Sequence, residues 1–544
     1  MIKKISQKII NFQPSSSVAS AALIISIAGI LSRVLGLLRD RILASQFGAG
    51  DTLDIYYAAF RIPDLIYNLL ILGALSAAFI PVFTGLIAKE KKEDAWKLAD
   101  NLLSAAVIIL ILISGILALL TPWLMKIITP GFSGEKLSQV ITLTRIMFLS
   151  PIFLGISGIF GGILNSFKRF LIYSLAPILY NLGIIVGALF FVPFMGVIGL
   201  AFGVVLGAAM HMLIQYPAVR LSGFKFHPTA DFKNPNFRRV IRLMIPRTLG
   251  LAVTQINLLV VTIIASTLAA GSLSIFNFAN NLQSFPVGIF AIPFALAVFP
   301  TLSHYAAREN REEFITSFSQ TFRQIIFFVI PASVLILVLR AQIVRVVLGS
   351  GKFDWEDTIL TFQSLGIFAV SLFAQSLIPL LARSFYALHD TKIPFLTGIA
   401  SEAVNLISAL VLSKYFGILG LVWAFSLSSL ANMFLLLLVL RIKLKNLDDQ
   451  KIIMTTLYIS VSALSAGFAT QISKYLIRPY INVDTFIGVF SQMAFCGFIG
   501  ISVYLLVARL FKLEELYLIK KFLSAKLLRF KQTIPEDPTE ASGV

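Results

Sequence analysis

Two short strings place guanidinium groups inside runs that are otherwise apolar. SRVLGLLRDR (32–41) carries Arg33, Arg39, Asp40 and Arg41. AAFRIPDLIYN (58–68) carries Arg61, Asp64, Tyr67 and Asn68. An arginine stays protonated, and its planar fork binds two oxygens of a phosphate or carboxylate at once. In a dry cavity such bonds strengthen, so deep arginines point to an anionic ligand. Arg33 and Arg39 are six residues apart, within about 120° on a helix, and can share one broad face. Arg33 is the deeper of the two. Arg39–Arg41 also reads as an interfacial cluster, and Arg61 with Asp64, at i and i+3, as a pair that satisfies itself.

Further polar candidates lie along the chain: Arg145, Arg247, Arg383 and Glu402, each open to reading as an ion pair or a snorkelling end. Asn280 and Asn281 suit interhelical hydrogen bonds worth about 1 kcal/mol each. Reaction chemistry has no comparable signal. The four histidines, His211, His227, His304 and His389, lack metal-ligand spacing, and no phosphate-binding loop, nucleophile elbow or acidic metal cluster is present. We therefore expect a transporter, with no enzyme activity, no cofactor and no metal.

The elements that must position these residues follow from composition. Of 544 residues, 58% are hydrophobic and only 13% charged. A soluble domain carries about a quarter charged residues, so half that density cannot coat a globule of this size. Disorder is excluded by the hydrophobicity, and a disulfide scaffold by the single cysteine, Cys496. A polytopic membrane protein remains. The excess of 45 basic over 26 acidic residues, +19 in all, then belongs to loops facing the cytoplasm, with no nucleic-acid partner implied.

A crossing helix needs about 20 apolar residues. Fourteen windows qualify, roughly 18–38, 55–86, 98–125, 138–165, 170–193, 197–220, 239–268, 272–303, 317–339, 357–387, 393–415, 417–441, 452–477 and 484–509. The long windows 55–86 and 272–303 contain prolines (Pro63 and Pro81; Pro286, Pro293 and Pro300) and read as bent or tilted helices. The first window follows Lys3, Lys4 and Lys8 but runs past signal-peptide length, so it reads as a retained helix. Lys89–Lys97, Lys168, Arg169, Lys225–Arg239, Arg308, Arg311, Lys392 and Arg441–Lys445 fall in loops on one side, with the basic C-terminal tail. Loops 194–196 and 269–271 on the other side have no basic residue; 340–356 is the exception. Both termini are expected in the cytoplasm.

The chain also resembles itself at a spacing of about 220 residues. ILASQFGAG (42–50) matches IIASTLAAG (263–271), and AKEKKED (88–94) matches ARENREE (307–313). Pro81 falls opposite Pro300, Asn181 opposite Asn405, and Gly196 with Gly199 opposite Gly417 with Gly420. Six spans per unit give two units of the same orientation, the parallel-repeat design of transporters. The expected fold class is all-α, with two six-helix lobes plus two C-terminal helices. Its parts are a cytoplasmic N-terminus (1–17), an N-lobe (18–222), a linker (223–238), a C-lobe (239–442), helices 13 and 14 (450–510) and a basic tail (511–544).

With these features in place, SRVLGLLRD (32–40), AAFRIPDL (58–65), GALSAAFIPVF (73–83), GGILNSFKRF (161–170) with Ala176–Pro177, and SFYALHDTKIP (384–394) resemble the MurJ/MviN family over about residues 18–510. Those are bacterial lipid II flippases of the MOP exporter superfamily. The resemblance implies a plasma-membrane flippase moving undecaprenyl-pyrophosphate-linked muropeptide from the inner to the outer leaflet by alternating access. It implies a lipid groove on helices 13 and 14, with membrane lipids and cell-wall synthesis or division proteins as further partner classes. Arg33, Arg39 and Asp40 match the family's first-helix motif and Arg61 its second-helix basic position.

The chain departs from that pattern in three places. Leu65–Asn68 stand where the family carries arginine after the proline. Ala279, Asn280 and Asn281 stand where it reads ADR-like before Phe285–Pro286. Val261 stands where some members place an acid thought to bind sodium. The expected substrate-binding set is Arg33, Arg39, Asp40, Arg61, Asn68, Arg247 and Asn281, with Arg247 replacing lost positive charge. Rival readings are a flippase for another lipid-linked glycan, a small-molecule antiporter, a membrane glycosyltransferase and a scaffold. Mostly basic deep charges speak against the antiporter, and short loops against the enzyme. FKLEELYLIKKFLSAKLLRFKQ (511–532) reads as a basic amphipathic helix that could lie on anionic lipid, followed by a disordered end.

Overall fold

A computed structural model describes residues 18–72, 78–229 and 231–517. They are helical, with no strand among them, as backbone groups inside a bilayer require. The helices are α1 (Val18–Phe47), α2 (Asp51–Tyr67), α3 (Ile80–Ala88), α4 (Lys92–Ile128), α5 (Gly134–Met147), α6 (Leu149–Ser166), α7 (Phe170–Val186), α8 (Val192–Met195), α9 (Ile198–Leu213) and α10 (Tyr216–Leu221). There follow α11 (Pro235–Ser266), α12 (Ser272–Pro286), α13 (Ile292–Ala307), α14 (Arg311–Val347), α15 (Trp355–Ala387), α16 (Lys392–Phe416), α17 (Ile418–Leu444), α18 (Asp449–Ile477) and α19 (Phe486–Leu510). Eleven helical segments are long and apolar enough to cross a membrane. The remaining three windows fall on α1, on α2 with α3, and on α11. The chain is an all-α polytopic membrane protein.

The backbone carries the internal repeat in detail. Five-residue π-helical segments occur at Asn68–Leu72 and Val287–Ala291, in the two long proline-bearing windows and in the register of Pro81 and Pro300. Positive-φ residues between helices recur at about the same spacing: Glu90 and Glu309, Lys168 and His389, Gly134 and Gly351, Gly196 and Gly417. Five equivalent departures from α geometry in different sequence contexts are duplicated backbone.

By contacts the chain forms two compact units. One is Met1–Phe285 with Val344–Phe368 and Lys392–Asn432; the other is Pro286–Ile343 with Ala369–Thr391 and Met433–Val544. In the first, α7 and α9 pack glycine on glycine. A Cβ on Gly183 would meet Gly207, and one on Gly187 would meet Gly203, each closer than 2.5 Å. Small residues let backbones approach where lipid supplies no hydrophobic drive. Polar groups in this unit satisfy one another: Ser157 Oγ lies 2.6 Å from His211 Nδ1 and accepts from Gln215.

The second unit is organised on α14 with α18 and α19. Tyr504 donates to the Phe327 carbonyl at 2.7 Å, Lys474 to the Val338 carbonyl at 2.9 Å, and Gln342 to Gln492 at 3.0 Å. Arg323, almost fully buried, pairs with Glu515 and with Glu514. Of the expected tail helix 511–532, only 511–517 lies among the described residues. Its first turns are docked: Leu513 and Glu515 are buried. Lys451, bonded to Glu514, holds that carboxyl below the usual range.

Candidate functional site

α1 carries Arg39, Asp40 and Arg41 at successive positions, so that they reach different neighbouring elements. Arg39 donates from Nε and Nη2 to Asp40 Oδ1, at 3.0 and 2.7 Å, and from Nη1 to Asn181 Oδ1 of α7 at 3.0 Å. Asn181 in turn donates from Nδ2 to the Pro177 carbonyl one turn earlier in its own helix, at 3.1 Å. The other oxygen of Asp40 accepts from Asn281 Nδ2 of α12 at 2.9 Å. Asp40 is 2% exposed, so its charge rests entirely on these donors. Arg39, Asp40 and Asn281 thus form one network that ties α1 to α7 and α12. Asn281 acts as interhelical glue, as expected, whereas Asn280 accepts from Gln283 of its own helix.

Arg61 does not pair with Asp64. Its Nε donates to Thr262 Oγ1 of α11 at 2.7 Å and its Nη2 to Asn277 Oδ1 of α12 at 3.0 Å. Helix spacing allowed the i, i+3 ion pair, but the guanidinium instead reaches neighbouring helices, where buried hydroxyl and amide oxygens need a donor. Asn68 is turned back on its own helix, donating to the Asp64 carbonyl at 2.8 Å as the π segment begins. Asn281 and Asn68 are therefore spent on protein contacts in this state. Both carboxylate oxygens of Glu402 accept from Asn257 Nδ2, at 2.9 and 2.7 Å, joining α16 to α11 with no basic partner among the described residues.

Arg33 stands apart. It is partly exposed and makes no hydrogen bond or ion pair among the described residues. It lies about 9 Å along α1 from Arg39, six residues at 1.5 Å rise. Arg33 is thus a guanidinium with its fork open beside a locked polar network. Arg247 lies within α11, and its side chain lies outside the described residues.

One end of this unit is sealed. Asp54, 2% exposed, accepts from the backbone N–H of Gly271 at 2.8 Å, and from the N–H and Oγ of Ser274 at 2.9 and 2.7 Å. A carboxylate at the start of α12 meets its unpaired amides and its positive dipole end. Gly271 has φ +87°, and a Cβ there would fall 2.0 Å from the Ala49 carbonyl oxygen, so only glycine permits the closure. Lys352 N–H donates to the Ser45 carbonyl and Ala49 N–H to Asp357, both at 2.8 Å. Arg41 bonds the Val346 carbonyl at the same end, which makes it a seal residue.

Sequence reasoning missed Thr262, Asn277, Asn257 and Asp54 as site residues. All but Asp54 are polar positions inside apolar helices, which is a readable signal. Asp54 lies in the first turn of α2, where an acid ordinarily needs no further account.

The family model described as lipid II flippase MurJ matches residues 43–491. A probable lipid II flippase MurJ of Vibrio cholerae is 32% identical over 433 residues, covering 78% of this chain and 82% of that protein. The lipid II flippase MurJ of Burkholderia cenocepacia is 28% identical over 429 residues, covering 77% and 83%. Among solved structures, a lipid II flippase MurJ in an inward closed conformation superposes with a TM-score of 0.73 at 24% identity, covering 90% of this chain and 98% of that one. An inward-facing multidrug-resistance transporter of the MATE family, from the MOP superfamily, superposes at 0.64 with 16% identity, covering 77% and 96%. The matched residues include Arg61 and Asp54, while Arg33, Arg39 and Asp40 precede them, and the chain belongs to the lipid II flippase MurJ family.

Proposed function

We propose that this protein carries lipid II, an undecaprenyl-pyrophosphate-linked muropeptide, from the inner to the outer leaflet of the bacterial plasma membrane. Family membership supports the substrate. The observation in the molecule that carries the reading is Arg33, which has no hydrogen bond or ion pair among the described residues, beside the Arg39–Asp40–Asn281 network. A diphosphate is a multidentate acceptor matched to a guanidinium fork. Arg33 supplies the first contact. The ligand then competes with Asp40 for Arg39. Each N–H that Arg39 gives to phosphate leaves Asp40 less compensated, and Asp40 is what holds Asn281 of α12. Binding therefore works against the α1–α12 cross-link, and the free energy of diphosphate contact drives the change of state.

Under this proposal the segments 18–222 and 239–442 act as N-lobe and C-lobe joined by 223–238. Helices in 450–510 receive the isoprenoid chain, and both termini lie in the cytoplasm. The excess of basic residues in loops on one side supports that orientation. It makes the Asp54 seal the extracytoplasmic gate. Arg247 adds a second guanidinium toward the diphosphate in place of the arginines missing at Asn68 and Asn281. Binding of purified protein to lipid II, against the same lipid with a monophosphate, tests the substrate reading. Affinity at least tenfold higher for the diphosphate, lost in Arg33→Ala, is expected. Equal affinity for both would overturn it.

A further inference from the structure

The first unit holds a cavity, lined by none of the residues of the arginine network, of about 740 Å3. That volume falls within the range of about 300–1,000 Å3 typical of small-molecule sites. Leu103 and Val107 of α4, Ile156 and Phe160 of α6, and Met212 of α9 form its apolar walls.

The remaining wall is built by a strap of chain without regular structure, residues 224–229, that follows α10. The strap is held by a polar ladder on α4. His227 N–H donates to Asp100 Oδ1 at 3.1 Å and Thr229 N–H to Ser104 Oγ at 3.2 Å. Asp231 N–H donates to Asn101 Oδ1 at 2.7 Å, and Asn101 Nδ2 returns a bond to the Asp231 carbonyl at 3.0 Å. Three polar residues of one helix thus serve as the pairing edge for an extended segment. Extended chain alternates its side chains, and Phe224, Phe226 and Pro228 all line the cavity.

The strap's bonds consume the nearby acid, Asp100, and leave the lining cation unspent. Arg220 lines the cavity and is exposed. It makes no ion pair or side-chain hydrogen bond among the described residues. Tyr216, also exposed on the rim, offers an amphipathic ring suited to a membrane interface.

We propose that this cavity is a binding site for an anionic glycerophospholipid, with one acyl chain between α4, α6 and the strap and the phosphate on Arg220. An apolar chamber alone accepts any acyl chain; a cation at its rim with no acid beside it selects a negative headgroup over a zwitterionic one. The site is separate from the arginine network and does not depend on the direction of transport.

Native mass spectrometry of the full-length protein, released from detergent containing equal phosphatidylglycerol and phosphatidylcholine, tests this. Wild-type protein is expected to retain phosphatidylglycerol preferentially. Arg220→Gln, an exposed position that leaves the fold intact, should weaken that preference about fivefold, the effect of one basic residue at a charged surface. Val107→Trp, which fills the chamber, should abolish retention at this site while Arg220→Gln controls for folding. Equal retention of the two lipids overturns the proposal. So does Val107→Trp protein that keeps phosphatidylglycerol as wild type does, and so does preferential retention of undecaprenyl phosphate when it is added as a third competitor.

Discussion

Asp54→Asn should open the sealed end of the first unit. The wild-type carboxylate receives three hydrogen bonds of 2.7–2.9 Å while 2% exposed. An asparagine keeps one acceptor oxygen and presents an NH2 group where the other oxygen met a backbone N–H. At least one charge-assisted bond is lost, and a donor then faces a donor. A hydrogen bond to a charged group contributes about 1.5–3 kcal/mol. In an open state Asp54 would be hydrated and the substitution nearly neutral, so the loss falls on the closed state alone. At about 1.4 kcal/mol per factor of ten, the closed-to-open ratio should fall roughly 10- to 150-fold.

Ser272, buried at the start of α12 within this seal, reports on it. In a Cys496→Ala background, Ser272→Cys should be labelled slowly by a membrane-impermeant maleimide added from outside the cell. Adding Asp54→Asn should raise the labelling rate at least tenfold at equal expression. Ser274→Ala, which removes one of the three bonds, should raise it by a smaller factor. Labelling unchanged by Asp54→Asn would refute the reasoning, because it would mean that these bonds do not hold the end closed.

Three further outcomes follow from the same contacts. Arg33→Ala should abolish transport with the protein still in the membrane, and Arg33→Lys should restore only part of it, because a point charge cannot make the bidentate contact; a transport assay in proteoliposomes decides this. Asn281→Asp puts a second carboxylate where Asp40 now receives a donor at 2.9 Å. Transport should drop at least tenfold and recover in the swapped double variant Asp40→Asn/Asn281→Asp, a coupling read by a double-mutant cycle. Arg323→Met leaves Glu515 buried without its cation, a loss of about 3–5 kcal/mol. Hydrogen exchange across 511–517 should accelerate while α19 stays protected.

The fold was legible because a membrane imposes one rule on the whole chain: long apolar runs become helices. The repeat was legible from Pro81 and Pro300, and the backbone extends it to π segments and to positive-φ residues such as Glu90, Glu309 and Lys168, whose types do not announce that conformation. The site was legible in part. Apolar context marked Arg33, Arg39 and Arg61 as unusual, yet spacing alone left Arg61 to its neighbour Asp64. Thr262 and Asn277 lie some two hundred residues away, and only folding brings their oxygens to Arg61. Asn68 shows the converse: a polar residue in a membrane helix can be satisfied by its own backbone, and sequence does not distinguish that use from ligand contact.

The central claim is that this chain moves lipid II and that Arg33 is the open contact for its diphosphate. The most direct measurement is complementation of a bacterium depleted of its own lipid II flippase, with lipid II accessibility at the outer surface read in the same cells. Wild-type protein should restore growth and surface-accessible lipid II, and Arg33→Ala, expressed to the same level, should restore neither. Growth without surface lipid II, or full rescue by Arg33→Ala, would contradict the account.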